Sequence, residues 1–191
     1  DTIGPDLTIY LNNPAFQSGD ETYEFPHFYA NIHDENGINT VGTGIGHDLL
    51  LIIDDDPKQT YVLNNYFSAS NNSYQEGQVS YKMAEQSEGA HTLTFRAWDL
   101  YNNSSTASLT FHVVKGLDPN IYSVTTYPNP VASNGVMNVD IQYDQPDEVV
   151  ETSVYLYDIS GKLMHSHIQR GVDGITWNMS QVASKPGIYI Y

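Results

Sequence analysis

The run His91-Thr-Leu-Thr-Phe-Arg-Ala-Trp98 decides the fold, together with Ala107, Leu109, Phe111 and Val113 further on. In an extended chain Leu93, Phe95 and Ala97 fall on one side and Thr92, Thr94 and Arg96 on the other, the period of a half-buried strand. The second run repeats that pattern. Between them Asp99-Leu-Tyr-Asn-Asn-Ser-Ser105 supplies side chains that bond nearby backbone and support a turn, so the two runs read as a β-hairpin. Upstream, similar apolar runs occur at Leu7–Leu11, Phe25–Ile32, Asp48–Ile53, Tyr61–Leu63 and Gln78–Met83, each set off by Gly, Pro, Asn or Asp. Seven short strands at this spacing predict a sandwich, and helical periodicity is hard to find.

The pattern breaks at Lys115-Gly-Leu-Asp-Pro-Asn120, where Gly and an Asp-Pro step cannot continue a ladder. The reading is a first domain over residues 1–116, a linker over 117–121 and a second domain over 122–191. In the latter, Met137, Val139, Ile141 and Tyr143 alternate inward before Gln145-Pro-Asp-Glu148 turns the chain. Strands follow at Thr152–Asp158, Lys162–Ile168 and Ile175–Asn178, with tight turns at Ile159–Gly161 and Gly171–Gly174. The last run, Gly187-Ile-Tyr-Ile-Tyr191, reads as a strand cut short, with the native polypeptide expected to run on.

Composition narrows the function. Seven Lys and Arg against twenty-three Asp and Glu leave a net charge of −16, which repels nucleic acid and anionic lipid surfaces at long range. No run approaches the ~18 apolar residues of a membrane helix. Residues 1–116 carry four cations and fifteen anions and residues 117–191 carry three and eight, so charge does not separate the roles of the two halves. Zero cysteine removes disulfides, thiolate metal sites and a thiol nucleophile together.

Several words in the second half are specific. Tyr127, Pro128, Asn129 and Pro130, then Val154-Tyr-Leu-Tyr-Asp158-Ile-Ser-Gly161-Lys162, then Trp177-Asn178 and Gly187-Ile-Tyr189-Ile190, resemble the C-terminal secretion domain of the type IX system of Bacteroidetes. That resemblance implies an Ig-like β-sandwich read by export machinery. Asp1–Asp6, Asp34–Asn39, Gly44–Asp48, His91–Asp99 and Asn102–Ser105 are similar to the region after the catalytic domain of PorU-type sortases, gingipain-like cysteine peptidases of the C25 family. What this implies is two Ig-like β-sandwiches in tandem, the non-catalytic C-terminal fragment of a cell-surface sortase and C-terminal signal peptidase. The catalytic Cys and His of such a parent belong to an upstream domain absent from this sequence. The implied route is export through the periplasm to the outer-membrane surface of a Bacteroidetes bacterium. The implied partners are an outer-membrane β-barrel of the PorV kind and other type IX attachment components. The alternative is the tail of another exported surface protein, its first domain a carbohydrate- or surface-binding adhesin.

Other constellations are weaker. Asp54, Asp55 and Asp56, the Asp34-Glu35-Asn36 loop and Asp99 offer hard oxygen ligands for a structural Ca²⁺, the one cofactor considered. Turn-forming Asp and Asn on a solvated hairpin tip account for the same residues. His165 and His167 share a strand face without a third ligand nearby. Gly42-Thr-Gly-Ile-Gly46 before His47 lacks the Lys-Ser/Thr and the helix of a phosphate loop. No Gly-x-Ser-x-Gly elbow exposes a serine, so no hydrolase is expected. Fifteen tyrosines suit strands, protein interfaces and carbohydrate platforms alike.

Overall fold

The computed structural model describes residues 2–41, 46–70, 73–146, 148–171, 175–178 and 187–191, the side chains of 175, 177 and 178 excepted. The chain divides into two compact units, Asp1–Asp118 and Pro119–Tyr191. Both are Ig-like β-sandwiches.

In the first unit the hairpin is the long spine. β8 (Gly89–Trp98) and β9 (Ser104–Val113) pair antiparallel from Gly89↔Val113 to Trp98↔Ser104. β4 (Leu50–Ile53) and β5 (Thr60–Val62) extend the sheet on one side, and β2 (Glu21–Thr22) runs parallel to the end of β9 on the other. The second sheet has the order β1 (Asp6–Leu11), β3 (His27–His33), β7 (Glu76–Lys82), β6 (Phe67–Ala69). The period-two residues meet between the sheets. Leu93, Phe95 and Ala97 from β8 are fully buried, as are Phe28 and Ala30 from β3, and the Phe28 and Phe95 rings pack 5.3 Å apart across the interior. Leu93, Phe95 and Phe28 each contribute about 1.5–3 kcal/mol on burial.

The differences from the expected strands have local causes. β3 starts at His27 rather than Phe25, because Pro26 lacks an N–H and Phe25 is left exposed. Leu63 follows β5 instead of ending it, and opens a 3₁₀ turn over Asn64–Tyr66. β2 and β6, two and three residues long, carry too short a pattern to be read, and register against β9 and β7 alone defines them.

The second unit stacks two three-stranded sheets. β10 (Ile121–Tyr127), β11 (Val136–Tyr143) and β14 (Ile175–Asn178) form one, and β13 (Leu163–Arg170), β12 (Glu151–Asp158) and β15 (Tyr189–Ile190) the other. Met137, Val139 and Leu156 are its buried apolar centre, with Val131, Ile141, Val154 and Tyr189 packed around them. The expected turn at Gly171–Gly174 lies, after Gly171, outside the described residues.

Candidate functional site

The candidate calcium-binding carboxylates of the first unit, Asp34, Asp54, Asp55, Asp56 and Asp99, fall into two groups. Asp54, Asp55 and Asp56 follow β4 beside the start of β8, where Asp54 Oδ1 accepts from Thr92 N at 2.8 Å. Asp55 belongs to the same turn, with a φ of 54°, and Asp56 caps a short 3₁₀ turn by accepting from Lys58 N at 2.9 Å. Asp99 sits seven residues beyond Thr92 on the hairpin, roughly 23 Å away at about 3.3 Å per residue. No single ion can gather both groups. Fully buried Asp99 accepts from Tyr101 N at 2.9 Å, Asn103 N at 2.7 Å and Asn103 Nδ2 at 2.7 Å. Its neighbour is the Asp34 turn: Ile38 bridges to Asp99, Leu100 N donates to Gly37 O, and Asp34 Oδ1 accepts from Asn36 N and Gly37 N. Among the described residues no group of three metal-capable side chains converges.

Sequence spacing did not reveal a Ser, a His and an Asp that the fold does assemble. Asp54 Oδ2 lies 2.7 Å from His91 Nδ1, and His91 Nε2 lies 3.4 Å from Ser87 Oγ. The same Nε2 is only 2.7 Å from the Ser87 carbonyl. A carbonyl can only accept, so Nε2 carries a proton there and is not free to take one from the serine hydroxyl. The arrangement is a clamp. It ties the β4 turn and the loop before β8 to a ring stacked on Phe111 at 5.3 Å. The signal that would have located it is the pairing of Ile53 with Leu93, which sets Asp54 beside the start of β8.

In the second unit the word Asp158-Ile-Ser-Gly161-Lys162 is a five-residue turn between β12 and β13. Asp158 Oδ1 accepts from Ser160 N at 2.8 Å, Ser160 Oγ at 2.6 Å and Lys162 N at 3.0 Å, while Gly161 takes a φ of 82°. Three requirements explain the word: an acceptor at its head, a hydroxyl two residues on, and a residue without Cβ where the chain turns left-handed. The Ser160 hydroxyl above all, then the Lys162 N–H, holds the Asp158 carboxyl below the usual carboxylate range. Tyr189 pairs with Asp158 and leans on the small core, so both words meet at one end of a sheet. Gly187 precedes that strand, where an added Cβ would fit in ordinary contact beside the Tyr189 ring.

Tyr127, Pro128, Asn129 and Pro130 form the corner after β10, with cis peptides at Tyr127–Pro128 and Asn129–Pro130. Trp177 pairs with Met137 in the same sheet, next to the pairing of Asn138 with Tyr127, and its side chain lies outside the described residues. Between the sheets an apolar cleft of about 390 Å³ opens over Val139, walled by Ile121, Val124, Val154, Tyr155 and Tyr191. His165 and His167 stand opposite Leu156 and Val154, half-buried on the side of the core rather than on an exposed face. Of Gly42–Gly46, residues 42–45 lie outside the described residues, and His47 stacks on Trp98 at 4.3 Å.

Residues 125–191 match the secretion system C-terminal sorting domain. The second unit belongs to the type IX sorting-domain family. The sorting domain makes this an exported protein involved with that secretion system. The whole chain is similar to dimeric latent PorU from Porphyromonas gingivalis, with 31% identity over 94% of this chain and a TM-score of 0.62. It spans 17% of that chain, and the likeness runs through both units. Two further similar structures are the N-terminal Ig1-2 module of the Drosophila receptor protein tyrosine phosphatase DLAR and the fibronectin(III)-like modules of CbhA from Clostridium thermocellum. The first is 8% identical over 83% of this chain and 74% of that one, TM-score 0.36. The second is 11% identical over 90% and 78%, TM-score 0.33. Among the curated proteins nothing matches. The matched span includes both the Asp158 turn and the Tyr127 corner. Among the described residues no helix is long and apolar enough to cross a membrane.

Proposed function

We propose that this chain is the non-catalytic C-terminal fragment of a type IX sortase and C-terminal signal peptidase, and that it holds the peptidase at the outer membrane by protein–protein contact. The observation that carries this reading is a match to PorU that covers 94% of this chain and so extends through both units instead of stopping at the sorting domain. A generic exported cargo would share only the tail. The absence of cysteine supports the division of labour, since a cysteine peptidase cannot place its nucleophile here. The contact partner is an outer-membrane β-barrel of the PorV kind, and the sorting domain offers it an apolar cleft rimmed by exposed Ile121 and Tyr155.

The purified chain, immobilised and exposed to detergent-solubilised outer membrane from a type IX-secreting bacterium, is expected to retain one such barrel. A Tyr155→Lys variant with an unchanged circular dichroism spectrum should retain markedly less. Retention of no barrel, with specific binding of the first unit to glycans, would instead identify an exported adhesin.

A further inference from the structure

The outer face of the five-stranded sheet carries two buried hydrogen-bond donors that, among the described residues, meet no acceptor. Arg96 and Trp98 project from β8 on the face opposite Phe95 and Ala97, and the guanidinium carbon lies 5.6 Å from the Trp98 ring centroid. Arg96 Nε and Trp98 Nε1 are both buried, and among the described residues neither has a hydrogen-bond partner. Neither atom can accept, so no internal rearrangement of protons satisfies them. His47 closes over the indole, its ring 4.3 Å from that of Trp98. Across the ladder Arg96 faces Leu50 and Thr106, neither of which brings a carboxylate. The hydroxyls of Thr94 and Ser108 on the same face bond each other, Oγ1 to Oγ at 3.0 Å.

The charge context makes this selective. Arg96 is one of two arginines in a chain with twenty-three Asp and Glu, yet among the described residues no carboxylate pairs with it. Arg170, by contrast, stands 3.9 Å from Glu151. A guanidinium presents Nε–H and an adjacent N–H as a fork that fits two oxygens of one oxyanion, and the indole N–H adds a third donor on the same face. Long-range repulsion from a net charge of −16 excludes polyanions, so an anion held here is small and bound by contact.

We infer that Arg96 and Trp98 form a binding site for a single oxyanion, a carboxylate or a phosphate, on the outer face of the first unit. The test is a ¹H–¹⁵N titration of the whole chain at pH 7 and constant ionic strength, using sodium acetate, inorganic phosphate, and acetamide as the uncharged counterpart. The Trp98 indole and Arg96 Nε cross-peaks, assigned with Trp98→Phe and Arg96→Lys variants, should move downfield and saturate with an anion but not with acetamide. Saturation at lower acetate concentration assigns the site to carboxylates, and at lower phosphate concentration to phosphates. In Arg96→Gln the midpoint should rise by about tenfold or more, as expected for loss of a charge-assisted fork. Arg96→Lys keeps the charge without the fork, should stay folded, and should fall between the two. Peaks that drift linearly for both anions, or a midpoint unchanged in Arg96→Gln with native dispersion, overturn the assignment.

Discussion

Asp99 is the residue on which the long hairpin closes. Its carboxylate, wholly buried, collects two backbone N–H groups and an amide from the turn it begins. Replacing it with alanine leaves those donors without an acceptor, and urea unfolding should show the first unit destabilised by about 3 kcal/mol. A loss below roughly 1 kcal/mol would show that water replaces the carboxylate freely. Asp158 does similar work in the exposed sorting-domain turn. Its carboxyl is held low, first by Ser160 Oγ, so its contribution to stability is present above the unfolded value and is lost as pH falls through the folded one. Ser160→Ala should bring the Asp158 midpoint up toward the ordinary ~3.9 in a ¹³C carboxyl titration, shrinking that acid-side window. An unmoved midpoint would transfer the effect to the backbone N–H groups.

At the scale of elements, alternation along β8 and β9 separates a core face from an outer face, and substitutions should respect it. Phe95→Ala removes a fully buried ring that meets Phe28 from the opposite sheet and should cost about 3–5 kcal/mol in denaturant titration. Ile168, 63% exposed on β13, should tolerate alanine within about 0.5 kcal/mol. Equal effects at the two positions would contradict the assigned faces. The hairpin was legible because ten-residue strands repeat the pattern several times, and the Asp158 turn because its chemistry is local. β2 and β6 were not legible, since two or three residues cannot display a period. The His91 clamp was hidden for another reason: Asp54 and His91 are thirty-seven residues apart and meet only through the β4–β8 register.

For the whole molecule, the unequal cores set the order of opening. The first unit buries Leu11, Phe28, Leu51, Leu93, Phe95 and Phe111 among others, whereas Met137, Val139 and Leu156 are the buried apolar centre of the second. Small cores leave a larger share of surface unburied and open more readily. Amides of β11 and β12 should therefore exchange with deuterium well before those of β8 and β9. Protection of equal depth in the two units would refute this order.

The sequence by itself determined what depends on neighbours along the chain: strand periodicity, turn chemistry at Asp99 and Asp158, the break near Asp118, the excess of negative charge and the lack of any thiol. Each is a property of a few consecutive residues or of composition. Only the tertiary structure decided which strands pair, that the candidate carboxylates of the first unit lie at two ends of a hairpin, that His91 spans Asp54 and Ser87, and that Arg96 Nε and Trp98 Nε1 share a face with no partner among the described residues. Those facts rest on long-range register and on which atoms are removed from water, and chain order alone specifies neither.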